Sequence, residues 1–524
     1  MGQLEKKFRQ VLQYVLRSNK NNMDFITLSL LLGAISLVVF YVKHCYAYWS
    51  RRGIPSAKGI IPFFGHMLPV LKLDSNVSML CLKMYNEYKN YSMVGWFNFT
   101  KPVLLIRDPE LAKTVLQSNF TSFHENMMTV DPKLDPLLAK NPFFCYGEVW
   151  STGRKRLTHA FSSMRLKILF ESVNYVCKKF HDYIERKLKG KDKYEVELKS
   201  LMAKFTAEVV ANAGFGVEGL CFEEESRPES FDEIGKSFLE PTLANGITQA
   251  LLFVIPSLGT IFQVSFIPKK VDQFFRNIVK SVLESRKTET TQRNDFLQLM
   301  SDLEKSQGGK IDEELLTSHA LSFYLDGFET SSITLSFIMH QLTMHPDIQE
   351  KLREEIMTVL AKYNNTLTYE SIKEMTYMEQ VISESQRLYP ALGILNKVCT
   401  EEFELKGSDG LTCRVKPGSH VIICSEGFQK DSTYWTDPET FDPDRFSPER
   451  KQDITKFTFL PFGEGPRICV GMRMAMLQMK ACLAAFLSNY RVELSPKTQR
   501  PLKMTGKTFL TLPIGGLWAY VKRL

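Results

Sequence analysis

The sequence predicts one large, mainly α-helical domain with a minor β-sheet region, carried behind an N-terminal membrane helix. Three observations point there: an uncharged apolar run near the start, a succession of long segments with helical spacing beyond residue 110, and strand-like runs that are short and few. The 524 residues are 44% hydrophobic and 24% charged, the make-up of a folded chain able to bury a large core.

Taken in order, residues 1–24 form a basic extension. Leu4, Phe8, Leu12, Val15 and Leu16 fall at helical spacing among Lys6, Lys7, Arg9, Arg17 and Lys20, which reads as a basic amphipathic helix. A membrane-surface helix, a weak mitochondrial presequence and an extension upstream of Met23 all remain open. Phe25 to Val42 is an uncharged run of 18 residues, just long enough to span a bilayer. Lys43, Arg51 and Arg52 follow it rather than a small-residue cleavage site, so an uncleaved anchor is expected. Residues 43–66 hold Pro55, Pro62 and Gly65 and read as a stiff hinge.

Residues 67–524 are expected to be one catalytic domain, since no repeat, low-complexity tract or flexible linker divides them. Met93 to Phe97 and Val103 to Ile106 read as strands closed by Arg107-Asp108-Pro109. Helices are expected at 158–188, 195–216, 269–286, 312–344, 346–362, 370–388 and 472–490, with a polar surface loop from Thr288 to Lys310.

The net charge of +8 is spread along the chain, which argues against nucleic acid as a partner. Ten cysteines occur without a C-x-x-C pair, so zinc-ribbon and thioredoxin-like readings lack support and a reduced, cytosol-facing domain is implied. Gly506-Lys507-Thr508 follows Pro501 where a phosphate loop needs glycine, and Gly463-Glu464-Gly465 lacks a third glycine at Ile468, so neither NAD nor ATP is expected to bind.

One cysteine has a distinctive setting. Phe462 to Gly471, FGEGPRICVG, places Cys469 in a glycine-rich loop directly before a helical segment. Unpaired N–H groups at the helix start, with Arg467 and Arg473 nearby, would stabilise a thiolate; a buried structural cysteine in a turn is the alternative. In the middle of the long apolar segment 312–344 lies a polar island, Asp326-Gly327-Phe328-Glu329-Thr330-Ser331. A glycine there costs about 1 kcal/mol relative to alanine, and a hydroxyl at 330 can bond back to the preceding turn, so the turn can open beside a ligand.

The spacing Phe-x-x-Gly-x-Arg-x-Cys-x-Gly resembles the cytochrome P450 family, and the likeness extends from the anchor to Gly515, closest in look to insect microsomal members. The resemblance implies a P450-type fold and haem b as cofactor, with Cys469 as the iron ligand. Phe462 would pack beside the sulfur, with Gly463 and Gly471 in the same loop, and Arg467, Trp150 and Arg154 would reach the haem propionates. It further implies a buried structural lock of Glu384, Arg387 and Arg445. On the oxygen side Thr330 would position water and Glu329 relay protons as an acid–alcohol pair. Departures are His159 in place of proline, Lys397 where many relatives carry arginine, and Asp326 where most carry alanine or glycine. Asp326 either adds an acid to the proton route or faces away.

The implied function is monooxygenation: one atom of O2 enters a lipophilic substrate, a xenobiotic or an endogenous hormone or lipid. Electrons would come from NADPH through NADPH-cytochrome P450 reductase, with cytochrome b5 as a second candidate donor, at the endoplasmic reticulum membrane (microsomes) with the domain in the cytosol. Lys155, Arg156, Arg473 and Lys480 are candidate docking cations. Substrate contacts are expected from 120–128, the polar island, 391–395 and 509–512. Competing classes are a haem-thiolate isomerase or dehydratase acting on a peroxide, and a haem-binding protein without turnover.

Overall fold

A helix that is apolar on every side belongs inside a core, and the segment from Glu313 to Met344 obeys that rule. In the computed structural model, which describes residue 10 and residues 25–288, 294–306 and 312–524, it runs unbroken for 32 residues through the middle of the domain. Asp312 caps it, its carboxylate accepting the Leu315 N–H at 3.0 Å, while Glu313 and Glu314 face the positive end of its dipole.

The helices that position the site are α1 (Phe25–Tyr46), α2 (Gly147–Ala160), α3 (Ser163–Leu188), α4 (Leu198–Val210), α5 (Phe296–Ser306), α6 (Glu313–Met344), α7 (Thr376–Leu388) and α8 (Met472–Leu487). The strands are β1 (Met93–Asn98), β2 (Lys101–Ile106), β3 (Tyr194–Glu197), β4 (Leu395–Val398), β5 (Phe403–Lys406), β6 (Thr412–Val415), β7 (His420–Ile423), β8 (Tyr490–Leu494) and β9 (Trp518–Arg523). α4 lies along α6, and α8 packs against α3. One four-stranded sheet has the order β1-β2-β7-β4, with β2 parallel to β7 and the other pairs antiparallel. A second sheet runs β3-β9-β8, and β5 pairs with β6. The helices share one large hydrophobic core; the four-stranded sheet gathers a second, smaller one.

The structure corrects several expected boundaries. The helix expected at 158–188 is two helices, because Ser162 adopts an extended conformation and starts α3. Residues 194–197 pair with β9 as a strand rather than opening the helix expected from 195. The stretch 370–388 divides into Tyr369–Glu374 and α7, and the helix expected to reach 490 ends at Leu487 because Tyr490 pairs with Arg523. The expected surface loop contains α5, whose Phe296, Leu297 and Met300 are buried; Asp295 starts it by accepting the Gln298 N–H at 3.0 Å. Residues 289–293 and 307–311 of that stretch lie outside the described residues, as does the amphipathic reading of 1–22 except for residue 10.

The N-terminal region also differs from expectation. α1 extends past Val42 to Tyr46; its Thr27–Tyr46 portion is long and apolar enough to cross a bilayer, and none of that is buried. Residues 43–66, expected as a stiff hinge, pack on the sheet. The Trp49 ring lies across β1, where a Cβ on Gly95 would meet it at 2.1 Å, and its indole N–H donates to Trp96 O at 3.1 Å. Ala57 N–H donates to Gly95 O and Gly95 N–H to Pro55 O, both at 2.8 Å, so this segment is bonded to the edge of the sheet.

Candidate functional site

The sequence around Cys469 folds as a tight loop because its glycines permit it. Gly463 and Gly465 have φ of 71° and 74°, and a Cβ on Gly465 would stand 2.0 Å from Leu116 O, so only glycine fits there. The Cys469 N–H donates to Phe462 O at 2.8 Å, closing the loop, and Gly471 stands at the N-terminus of α8. The sulfur faces an internal cavity of about 380 Å³ whose wall includes Phe462, Gly463, Gly471, Trp150, Arg154 and Arg467. The loop and the distant Trp150-x-x-x-Arg154 element, on α2, therefore meet at one site.

The helix start and one cation act on the thiol in the expected direction, against its desolvation by the surrounding protein. Burial pushes it up to about 11; the N–H groups of Gly471 and Met472 and the Arg154 charge pull it down but do not prevail, and Asp326 adds to the rise. A bound metal cation is what would deprotonate such a sulfur. Arg473 is turned away to Phe161 O and Ser163 Oγ, and Arg467 points to the other side of the cavity. The cation acting on the sulfur is Arg154.

Arg467 donates to Pro142 O at 3.0 Å and Cys145 O at 3.1 Å and stacks on Trp150 with its guanidinium carbon 4.4 Å from the ring centre; its buried Nε has no hydrogen-bond partner. Lys397, on β4, is 4% exposed, donates to Asn126 Oδ1 at 2.8 Å, and is lowered to about 7 by burial and then by Arg467. Among the described residues neither these two nor Arg154 forms an ion pair with an acid. One buried and two half-buried cations without anions, one donor left orphaned, and an apolar wall ending in a cysteine fit a flat apolar group that carries carboxylates and a thiol-seeking metal. Haem fits that description: Cys469 would hold the iron, and Arg154, Lys397, Arg467 and Trp150 would receive the carboxylates.

The polar island on α6 serves three directions at once. Asp326, Thr330, Ser331 and Thr334 line the cavity. Ser331 Oγ and Gly327 O accept from Gln478 Nε2 of α8 at 2.7 and 3.0 Å, and Thr206 of α4 donates to Phe328 O at 3.0 Å. Glu329 points away from the cavity; it is 2% exposed and ion-paired with Lys199 of α4 at 2.8 Å. The expected acid–alcohol pair is thus divided, with Thr330 in the cavity and Glu329 behind the helix. The acid that faces the cavity is Asp326, with Asn141 Nδ2 donating to its Oδ2 at 3.1 Å and burial raising it to about 7. The helix does not open here: Thr330 Oγ1 donates to Asp326 O at 2.6 Å and the element stays continuous.

Glu384, Arg387 and Arg445 come together as expected. Arg387 Nε and Nη2 each donate to Glu384 at 2.8 Å, and Arg445 Nε reaches Glu384 Oε1 at 3.3 Å, all deep in the core. Gln429 carries the network to the cysteine loop: its carbonyl accepts from Arg387 at 2.8 Å and its Oε1 from Leu460 N–H at 3.0 Å. Gln429, Lys199 and Asn141 escaped the sequence reading, since each is defined by a partner scores of residues away and none lies in a motif; Asn126 fell in the expected 120–128 segment, but its bond to Lys397 was not foreseen. Of the expected docking cations, Lys480 is 6% exposed and occupied by Ile372 O, Met375 O and Glu379, and Arg156 is half-buried beside Glu304 at 3.8 Å; Lys155 and Arg473 remain at the surface. Of the expected substrate-contact segments, Met127, Met128, Ala391, Leu395 and Phe509 line the cavity, whereas Phe120 packs on Trp150 at 5.7 Å.

A mainly helical domain whose looped cysteine shares a cavity with unpaired cations defines a haem-thiolate protein. The chain belongs to the cytochrome P450 family: the family profile "Cytochrome P450" matches residues 55–519. It is similar to "Probable cytochrome P450 6a13" of Drosophila melanogaster, 33% identical over 93% of this chain and 96% of the relative. It is 32% identical to "Cytochrome P450 6a2" of the same fly over 95% of this chain and 100% of the relative. "Cytochrome P450 9e2" of Blattella germanica is 33% identical over 90% of this chain and 93% of the relative. The protein is accordingly a haem-thiolate monooxygenase with haem b as cofactor, and its N-terminal apolar helix is consistent with membrane anchoring.

Proposed function

We propose that this enzyme inserts one atom of O2 into a lipophilic substrate, a xenobiotic or an endogenous hormone or lipid, and reduces the other to water with two electrons from NADPH delivered by a separate reductase. The observation that carries the reading is the shared cavity of Cys469 and the polar face of α6, with Phe143, Phe253, Leu392 and Phe509 on its walls. Haem, when bound through Cys469, supplies the oxidising chemistry, and its thiolate ligand favours O–O cleavage. Arg154, Lys397, Arg467 and Trp150 would hold it, and Thr330 lines the same cavity with its hydroxyl donating to Asp326 O. Glu329, paired with Lys199, acts as a charge pair behind the helix.

NADPH-cytochrome P450 reductase is the proposed electron donor, with cytochrome b5 as a second. Exposed Lys155 and Arg473 lie on the elements that flank the cysteine loop and suit an acidic partner. The proposed location is the endoplasmic reticulum membrane with the domain in the cytosol, in keeping with ten free cysteines.

The test is the absorption spectrum of the reduced, carbon-monoxide-bound protein beside Cys469→Ser. The wild type should show the displaced Soret band of thiolate-ligated haem, and the variant should lose it while remaining folded. A histidine-like band in wild type, or no haem uptake, sinks the assignment. Product formed from a peroxide with neither O2 nor reductase would favour the isomerase class instead.

A further inference from the structure

The cavity wall holds a carboxylate that the haem site does not use. We propose that Asp326 anchors a basic nitrogen, so that the substrates of this enzyme include lipophilic amines whose cationic centre sits against this side chain and whose apolar body lies along Phe253, Leu392 and Phe509. The proposal rests on the reading of this cavity as the substrate site of a monooxygenase and deepens it by naming a substrate class.

Four observations carry it. Asp326 faces the cavity one helical turn before Thr330, so the two share one side of α6. Among the described residues the other carboxylate on the wall, Glu464, belongs to the cysteine loop, which leaves Asp326 as the acid on the α6 side. Its support is built in. Asn141 is fully buried, its Oδ1 is fixed by the Phe143 N–H at 2.7 Å, and its amide group is thereby aimed at Asp326 Oδ2. Among the described residues only that carboxylate oxygen receives a side-chain donor.

Finally, no cation pairs with Asp326 among the described residues. Arg154, Lys397 and Arg467 line the same cavity but donate to Ile468 O, Asn126 Oδ1, Pro142 O and Cys145 O. A carboxyl in a largely apolar cavity without a counter-ion is costly, and although Asp326 is open to the cavity, desolvation by the surrounding protein lifts it to about 7. A protonated amine restores the missing partner, gives the free oxygen a donor and returns the acid to its charged form. A neutral hydrocarbon offers none of this.

The experiment uses haem-loaded, full-length protein and two probes: dimethyldecylamine, and the branched hydrocarbon of the same shape in which CH replaces N. Dissociation constants are read from the shift of the Soret band on titration, for wild type, Asp326→Asn and Asp326→Ala. The expected result is that both variants weaken the amine by about tenfold or more, the loss appropriate to a charge-assisted hydrogen bond, while the hydrocarbon changes by less than about threefold. Equal weakening of both probes, or amine affinity unchanged in both variants, overturns the proposal. So does a spectrum showing the amine nitrogen on the iron whatever stands at position 326. Each protein is first checked for the thiolate Soret band. Its absence in wild type would sink the parent reading, whereas its presence with an unchanged amine constant sinks only the role of Asp326.

Discussion

Lys397 carries a consequence for haem binding. With no carboxylate beside it Lys397 is lowered to about 7, well below the ordinary lysine value, because burial and the Arg467 charge both oppose protonation. A haem carboxylate needs it charged, so between about 7 and the ordinary lysine range haem binding takes up a proton. Haem affinity should therefore fall as pH rises across that window, by up to about tenfold per pH unit for a single proton. The sign for the empty fold is the reverse: the unfolded chain binds the extra proton there, so stability rises with pH. Lys397→Arg, whose guanidinium stays charged, should flatten the dependence. The measurement is the rate and extent of haem transfer to an acceptor apoprotein at several pH values. Parallel curves for wild type and variant would show that Lys397 holds no carboxylate. The sequence marked Lys397 as a departure and left its role open; the neighbours that decide it, Asn126 and Arg467, become visible only once β4 is set beside the cysteine loop.

At the scale of the element, α6 shows how one helix serves three neighbours. Its apolar length was legible from composition, and so was the position of the polar island. The direction of each polar side chain was not, because a turn of helix fixes only the angle between residues, and the face given to α4, α8 or the cavity depends on how the helix is rotated in the core. That rotation puts Glu329 against Lys199 rather than beside Thr330. Lys199→Met should leave a buried carboxylate without its cation and cost toward the lower end of the roughly 3–5 kcal/mol typical of a broken buried pair, since Lys199 is partly exposed. Removing both charges in Lys199→Met/Glu329→Gln should recover most of the loss. Urea unfolding of the haem-loaded proteins reads both; a single variant as stable as wild type would mean that the pair contributes nothing.

At the scale of the molecule, the boundary between anchor and domain lies earlier than the Pro and Gly content suggests. Tyr46 already bonds into the domain, its hydroxyl donating to Ile61 O at 3.3 Å and accepting the Gly65 N–H at 3.1 Å. A chain beginning at Cys45 should fold and take up haem without the anchor. A chain beginning at Met67 loses Trp49, Ile54 and Ala57 from the second core, and a buried tryptophan alone is worth about 3–5 kcal/mol. Thermal unfolding and haem content of the two truncated chains provide the check: equal midpoints would restore the hinge reading.

What the sequence determined by itself was the chemistry and its local frame. The spacing of Phe462, Gly463, Arg467 and Cys469, the apolar anchor, and the Glu384–Arg387 interval on one helix are short-range patterns, set by backbone geometry within a turn or a loop. What the tertiary structure decided was the set of partners that no motif carries: Gln429 bonded to Arg387 and Leu460, Lys199 claiming Glu329, Asn126 bonded to Lys397, and Asn141 aiming its amide at Asp326. Such partners are selected by packing and by the demand that buried charges and donors be satisfied, and that demand acts in space rather than along the chain.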